Sequence, residues 1–258
     1  MSSPDLILQL QGVGKRFGNS EVLREISLSV QRGERIALIG PNGAGKSTLF
    51  NLISGRDRPS SGSVSFNGRR IDGLAPQQIS RLGLARSFQL SHLFPRLSTF
   101  DNLRCAMLWS SGQRYSFWRR LSRLRELNSR AEGLLERLGL SSRRDTAAGE
   151  LSYAEQRALE LGVTVAGGAD LILLDEPTAG MSRSETARCV ELIRELSSGL
   201  TLLMVEHDMG VVFELADRIA VLAQGHLIAF GSPDQVRANP GVQQAYLGTL
   251  PSKEPGHG

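Results

Sequence analysis

The run GPNGAGKST, Gly40–Thr48, packs glycines, a lysine and two hydroxyl side chains into one short stretch. Its spacing is G-x-x-x-x-G-K-[ST], which cradles phosphate groups when it follows a strand and opens a helix. Gly40, Gly43 and Gly45 let the backbone turn tightly and aim successive N–H groups at phosphate oxygens. The helix that follows adds the positive end of its dipole. Lys46 is placed to reach the terminal phosphates and Ser47 to ligate Mg²⁺, with Pro41, Asn42, Ala44 and Thr48 completing the loop.

A magnesium ion on those phosphates needs a further oxygen partner. LILLDEPT supplies one, because its apolar residues make a buried strand from whose end Asp175 emerges. An aspartate there can hold the metal through coordinated water. Glu176 follows directly and, by strand alternation, points differently from Asp175, which makes it the candidate for polarising an attacking water. On its own, an Asp-Glu pair after an apolar strand is usually structural; together with the phosphate loop it becomes specific.

These residues need elements to position them, and the pattern provides them. LILQLQGV and EISLSV alternate as strands, and RIALIG is a short apolar strand leading into the loop. Lys46–Ser54 reads as a helix with Leu49, Leu52 and Ile53 on one side. GSVSFNG is a strand closed by an Asn67–Gly68 turn. Between about Ser98 and Gly139 the pattern turns helical, with Leu121, Leu124, Leu127, Leu134, Leu135 and Leu138 recurring among arginines. From Asp170 strands and helices alternate again: LILLDE, a helix over Glu185–Leu196, TLLMVEHD, a short helix to Ala216, and RIAVLAQG. Such alternation implies a parallel sheet covered on both faces. The ending PSKEPGHG, residues 251–258, reads as a disordered tail.

With 258 residues, 40% hydrophobic and 22% charged, the composition is globular and excludes a disordered or collagen-like chain. No apolar run is long enough to span a bilayer, and the opening MSSPDLILQL carries no basic leader of a secretory signal. Cys105 and Cys189 lack metal-type spacing, and a reduced compartment is expected. Thirty basic residues against 26 acidic give a net charge of +4. That excess is compatible with nucleic acid, a membrane surface, an anionic ligand or nothing specific. The arginine-rich stretch between Arg114 and Arg144 reads first as a solvated helical face and second as a surface for lipid headgroups or a partner.

Taken in order, five features resemble an ABC-type ATPase over almost the full length: GPNGAGKST, Gln89 in RSFQLSHLF, LSYAEQR at Leu151–Arg157, LILLDEPTAGMS, and His207 in VEHD. The resemblance implies an α/β phosphate-loop fold with a RecA-like parallel-sheet core, an N-terminal antiparallel β subdomain and an inserted α-helical subdomain. It implies one nucleotide-binding domain over residues 1–250, with the helical part at about 90–165. Two such subunits, identical or different, would sandwich ATP head to tail. Ser152 and the backbone at Ala154 would then meet the γ-phosphate bound on the partner. Phe17, in KRFGNS, would stack on adenine, and His207 would contact the γ-phosphate. Gln89 would sense metal and γ-phosphate, and Lys46, Glu176 and His207 would carry the chemistry. Taken alone, Phe17 reads as packing and His207 as structural.

Several stretches look specifically like the ATP-binding subunit of branched-chain amino acid importers: SFQLSHLFPRLSTFDNL, LSYAEQRALEL, VEHDMGVVFELADRIAVLAQG and GSPDQVRANPGVQQAYLG. That implies integral membrane permease partners, indirectly a substrate-binding protein, no nucleic acid, and a peripheral place on the cytoplasmic face of the inner membrane. Relatives that move urea, amides or lipopolysaccharide, and ABC ATPases that act on nucleic acid or ribosomes, are the alternative readings. The chain departs from the family in two places. Glycine is usual where Ala154 stands; at a positive φ, the methyl group would cost about 1 kcal/mol and weaken dimerisation. Aspartate or asparagine is usual where Ser182 stands, which puts in doubt how strongly this loop reaches the partner.

Overall fold

Leu6–Phe17 (β1) and Ser20–Gln31 (β2) form a long antiparallel hairpin, its inward positions filled by Leu8, Leu10, Val13, Ile26, Leu28 and Val30. The computed structural model describes residues 5–87, 93–110 and 120–247. Gln89 and the tail 251–258 lie outside these described residues. The chain divides into two compact units, one built from residues 1–76 and 205–258, the other from 77–204.

In the first unit, Ser61–Phe66 (β4) and Arg69–Arg70 (β5) join the hairpin in a sheet ordered β2-β1-β4-β5. The expected turn is present: Asn67 and Gly68 both have positive φ, 49° and 71°, as a tight hairpin between these strands demands. A second sheet contains Arg35–Ile39 (β3), with Arg218–Ala223 (β9) parallel beside it and His226–Gly231 (β10) antiparallel at the edge. Ile36–Ile39 and Ile219–Leu222 are almost fully buried, as apolar runs covered on both faces must be. The unit's helices are Lys46–Ile53 (α1), Met209–Leu215 (α7), Pro233–Arg237 (α8) and Pro240–Leu247 (α9).

In the second unit, Leu84–Ser87 (β6) runs parallel to Leu171–Asp175 (β7), and Thr201–Val205 (β8) lies on the other side of β7. Pro76–Arg81 (α2) precedes β6. Thr99–Ser110 (α3), Arg120–Arg137 (α4) and Tyr153–Ala166 (α5) supply the expected helical region, and Arg183–Leu196 (α6) follows β7. Leu134, Leu135 and Leu138 are buried, whereas the arginines around them reach acids: Arg137 bonds Glu195, Arg143 bonds Glu155, and Arg144 bonds Glu132 and Asp145, at 2.6 to 2.9 Å. In the described part of the arginine-rich stretch, Arg137, Arg143 and Arg144 are thus ion-paired at the surface. Buried Asn102 ties the preceding loop to α3, its side-chain amide donating to the carbonyls of Phe94, Leu97 and Ser98.

Candidate nucleotide site

The loop between β3 and α1 has the geometry its sequence demands. Gly40 has φ 155°, and a Cβ there would overlap the Leu222 carbonyl oxygen, a backbone atom that cannot yield. Gly45, at φ 103°, caps α1 in a left-handed conformation, and a side chain there would crowd Leu23 and the Val22 carbonyl. Glycine at both places is a steric requirement. Lys46 is buried, and its Nζ donates to the Gly40 carbonyl at 2.7 Å and the Pro41 carbonyl at 3.0 Å. The ammonium is thus folded onto its own loop. Ser47 follows in the first turn with an exposed side chain, and Thr48 is partly covered. Asn42 and Gly43 are exposed at the loop tip, while Ala44 is buried beneath it.

Two further expected residues lie in the same unit. Phe17 ends β1 with its ring 48% exposed, and Lys15 Nζ sits 4.6 Å from the ring centroid. The ammonium against the exposed ring is an attractive cation–π contact. His207 is exposed just beyond β8; its backbone N–H donates to the buried Glu206 carboxylate at 3.0 Å. Asp208 then caps α7, accepting from Gly210 and Val211, so the turn carrying His207 is fixed from both sides.

The second unit carries the acidic residues. Leu171–Leu174 are almost wholly buried and Asp175 emerges at the end of β7, as expected. The expectation from strand alternation fails at Glu176, because β7 ends one residue earlier. Glu176 has φ 48°, a left-handed conformation, and its direction is set by that turn. Asp175 is engaged by Arg86, whose Nη2 donates to Oδ2 at 2.7 Å. Sequence reasoning passed over Arg86; the only signal was a charged residue inside a short strand.

Ser152 caps α5 in a reciprocal box: Glu155 N–H donates to Ser152 Oγ, and Ser152 N–H donates to Glu155 at 2.8 Å. That backbone N–H, with the Arg143 guanidinium, holds the Glu155 carboxyl below the usual range. Ala154 corrects an expectation. It lies in the first turn of α5 and is absent from the positive-φ residues, so the anticipated backbone cost of its methyl group does not arise. Alanine is the better helix former at such a place. Tyr153 was also overlooked: its hydroxyl donates to the Ala179 carbonyl at 3.0 Å and accepts from Arg157, tying the start of α5 to the loop after Glu176. Ser182 caps α6 with the same reciprocal geometry, through Glu185.

The loop fits a nucleotide's phosphates through its left-handed glycines and buried lysine. Ser47 and Asp175 offer hard oxygen donors of the kind Mg²⁺ takes. No cluster of three or more His, Cys, Asp or Glu side chains suited to a metal occurs among the described residues.

Such parts define an α/β phosphate-loop nucleotide-binding protein. Residues 23–179 match the family model for the ABC transporter, and residues 226–249 match that for the branched-chain amino acid ATP-binding cassette transporter. The chain belongs to the ABC transporter family and is an ATPase of its ATP-binding cassette type. It is 38% identical over 257 residues to the high-affinity branched-chain amino acid transport ATP-binding protein LivG of Salmonella typhimurium, covering 96% of this chain and 99% of that protein. It is 36% identical, with the same coverage, to BraF of Pseudomonas aeruginosa, which bears the same description. Among solved structures, the ADP conformation of MJ1267, an ATP-binding cassette of an ABC transporter, matches with a TM-score of 0.80 at 30% identity. That match covers 94% of this chain and 99% of the other.

Proposed function

We propose that this chain is the ATP-hydrolysing subunit of an importer of branched-chain amino acids. It works as one nucleotide-binding domain over residues 1–250, peripheral to the cytoplasmic face of the inner membrane. It pairs head to tail with a second ATPase subunit and docks on permease subunits that receive cargo from a substrate-binding protein. The observation that carries the ATPase reading is the glycine-built loop with its buried lysine at the start of α1. The cargo reading rests on the match at residues 226–249 and on the relatives' transport role.

In this reading the loop amides and Lys46 bind the β- and γ-phosphates, and Phe17 stacks on the adenine. Ser47, Asp175 and Gln89 would hold Mg²⁺, which would neutralise phosphate charge. Glu176 orients water for in-line attack and takes up its proton, and His207 holds the γ-phosphate geometry. The first turn of α5, from Ser152 and Ala154, presents N–H groups to the nucleotide on the partner subunit. Binding closes the dimer, and loss of the γ-phosphate contacts lets it reopen.

Glu176→Gln tests the assignment. The variant should bind ATP as the wild type does while its turnover falls by about a hundredfold or more, the scale of a lost general base. Turnover near the wild-type rate would remove Glu176 from the mechanism. For the cargo, vesicles reconstituted with the matching permease and binding protein should take up leucine only with ATP and this subunit.

A further inference from the structure

The acid at the end of β7 is held in an ion pair with an arginine. Arg86 Nη2 lies 2.7 Å from Asp175 Oδ2, and the two side chains are only 6% and 10% exposed. The parallel register of β6 and β7, with Arg86 opposite Leu173 and Ser87 opposite Leu174, brings them together. Their setting is the buried run Leu171–Leu174, where water screens charge weakly. Arginine cannot shed its proton, so this positive charge is permanent. The carboxylate's other oxygen, Oδ1, has no hydrogen-bond partner among the described residues and stays available to a metal's water shell.

An ion pair is electrically neutral, and a divalent cation gains little by approaching one. The same cation is repelled by the guanidinium while it is drawn to the carboxylate. Phosphate oxygens tip the balance because they add negative charge that Arg86 does not cancel. We propose that Arg86 is a positioning residue that orients Asp175 and, through its fixed charge, weakens metal binding there, so that occupancy depends on nucleotide phosphates. The proposal rests on the reading that Asp175 serves the metal.

The test is a Mn²⁺ titration of the gel-filtered protein–ADP complex, with free Mn²⁺ followed by electron paramagnetic resonance. Arg86→Gln removes the charge but keeps a donor for Asp175. It should lower the half-saturating Mn²⁺ concentration by about tenfold. Arg86→Lys keeps the charge and should stay within about twofold of the wild type. An unchanged or raised midpoint in Arg86→Gln overturns the proposal. Should that variant not fold, Arg86→Lys still decides, since a tenfold fall with the charge retained contradicts a charge effect. Asp175→Asn separates the two levels. If it leaves the midpoint unmoved, the metal reading and the proposal both fall. If it raises the midpoint while Arg86→Gln does not lower it, only the proposal falls.

Discussion

Glu176 stands at φ 48°, in a region that costs an ordinary L-residue about 1–2 kcal/mol. Such strain is usually stored where it aims a functional group. Here it turns the chain sharply one residue past β7. Asparagine tolerates this conformation better than glutamate. Glu176→Asn should therefore raise stability by about 0.5–1 kcal/mol in urea unfolding while abolishing turnover. A destabilised variant would mean that the glutamate's own contacts outweigh the strain. The phosphate loop was legible in the sequence because everything it needs lies within Gly40–Thr48. Arg86 was not, since its partner is 89 positions away and nothing local marks it. The strain at Glu176 was equally hidden, as alternation assumes a strand that has already ended.

At the level of elements, apolar runs announced β3, β7, β8 and β9, and leucine spacing announced the helical region. The elements that escaped were those whose burial is partial or charged. β10 is a half-exposed edge strand, and β6 reads LARS because its arginine is covered through an ion pair. Helix starts carry the sharper lesson. Ser182, where the family residue is usually aspartate or asparagine, caps α6, with Glu185 closing the box and its carboxyl held below the usual range first by the Ser182 hydroxyl. Serine, aspartate and asparagine cap about equally well. Ser182→Asp should thus leave stability within about 0.5 kcal/mol of the wild type, whereas Ser182→Ala should lose about 1 kcal/mol. Denaturant unfolding of the three proteins would check this. If Ser182→Asp changes ATPase activity with stability constant, the departure matters at the partner's site and not in α6.

At the scale of the molecule, the first unit is assembled from chain segments that lie far apart, residues 1–76 and 205–258. Within it β9, from the later segment, lines up beside β3, from the earlier one, and an ion pair marks the junction. Arg35 meets Asp217 with Nη2 to Oδ1 at 2.8 Å, Nε to Oδ2 at 3.2 Å, and its backbone N–H to Oδ2 at 2.9 Å. The Asp217 amide returns a bond to the Arg35 carbonyl at 2.8 Å. Partial burial works against the Asp217 charge, but the bonds from Arg35 and its positive charge outweigh it, and the carboxyl titrates below its ordinary value. A carboxyl depressed in the folded state adds stability above its unfolded pKa, about 3.9, and that stability disappears as pH falls through the folded value. The pair is partly exposed, so Asp217→Asn should cost no more than about 1 kcal/mol at pH 7. The gap between the two proteins should hold down to about pH 5 and close as pH drops below about 4. A gap that stays constant across that range would show that the aspartate acts through its hydrogen-bonding shape alone, with its charge adding nothing to the joining of the two segments.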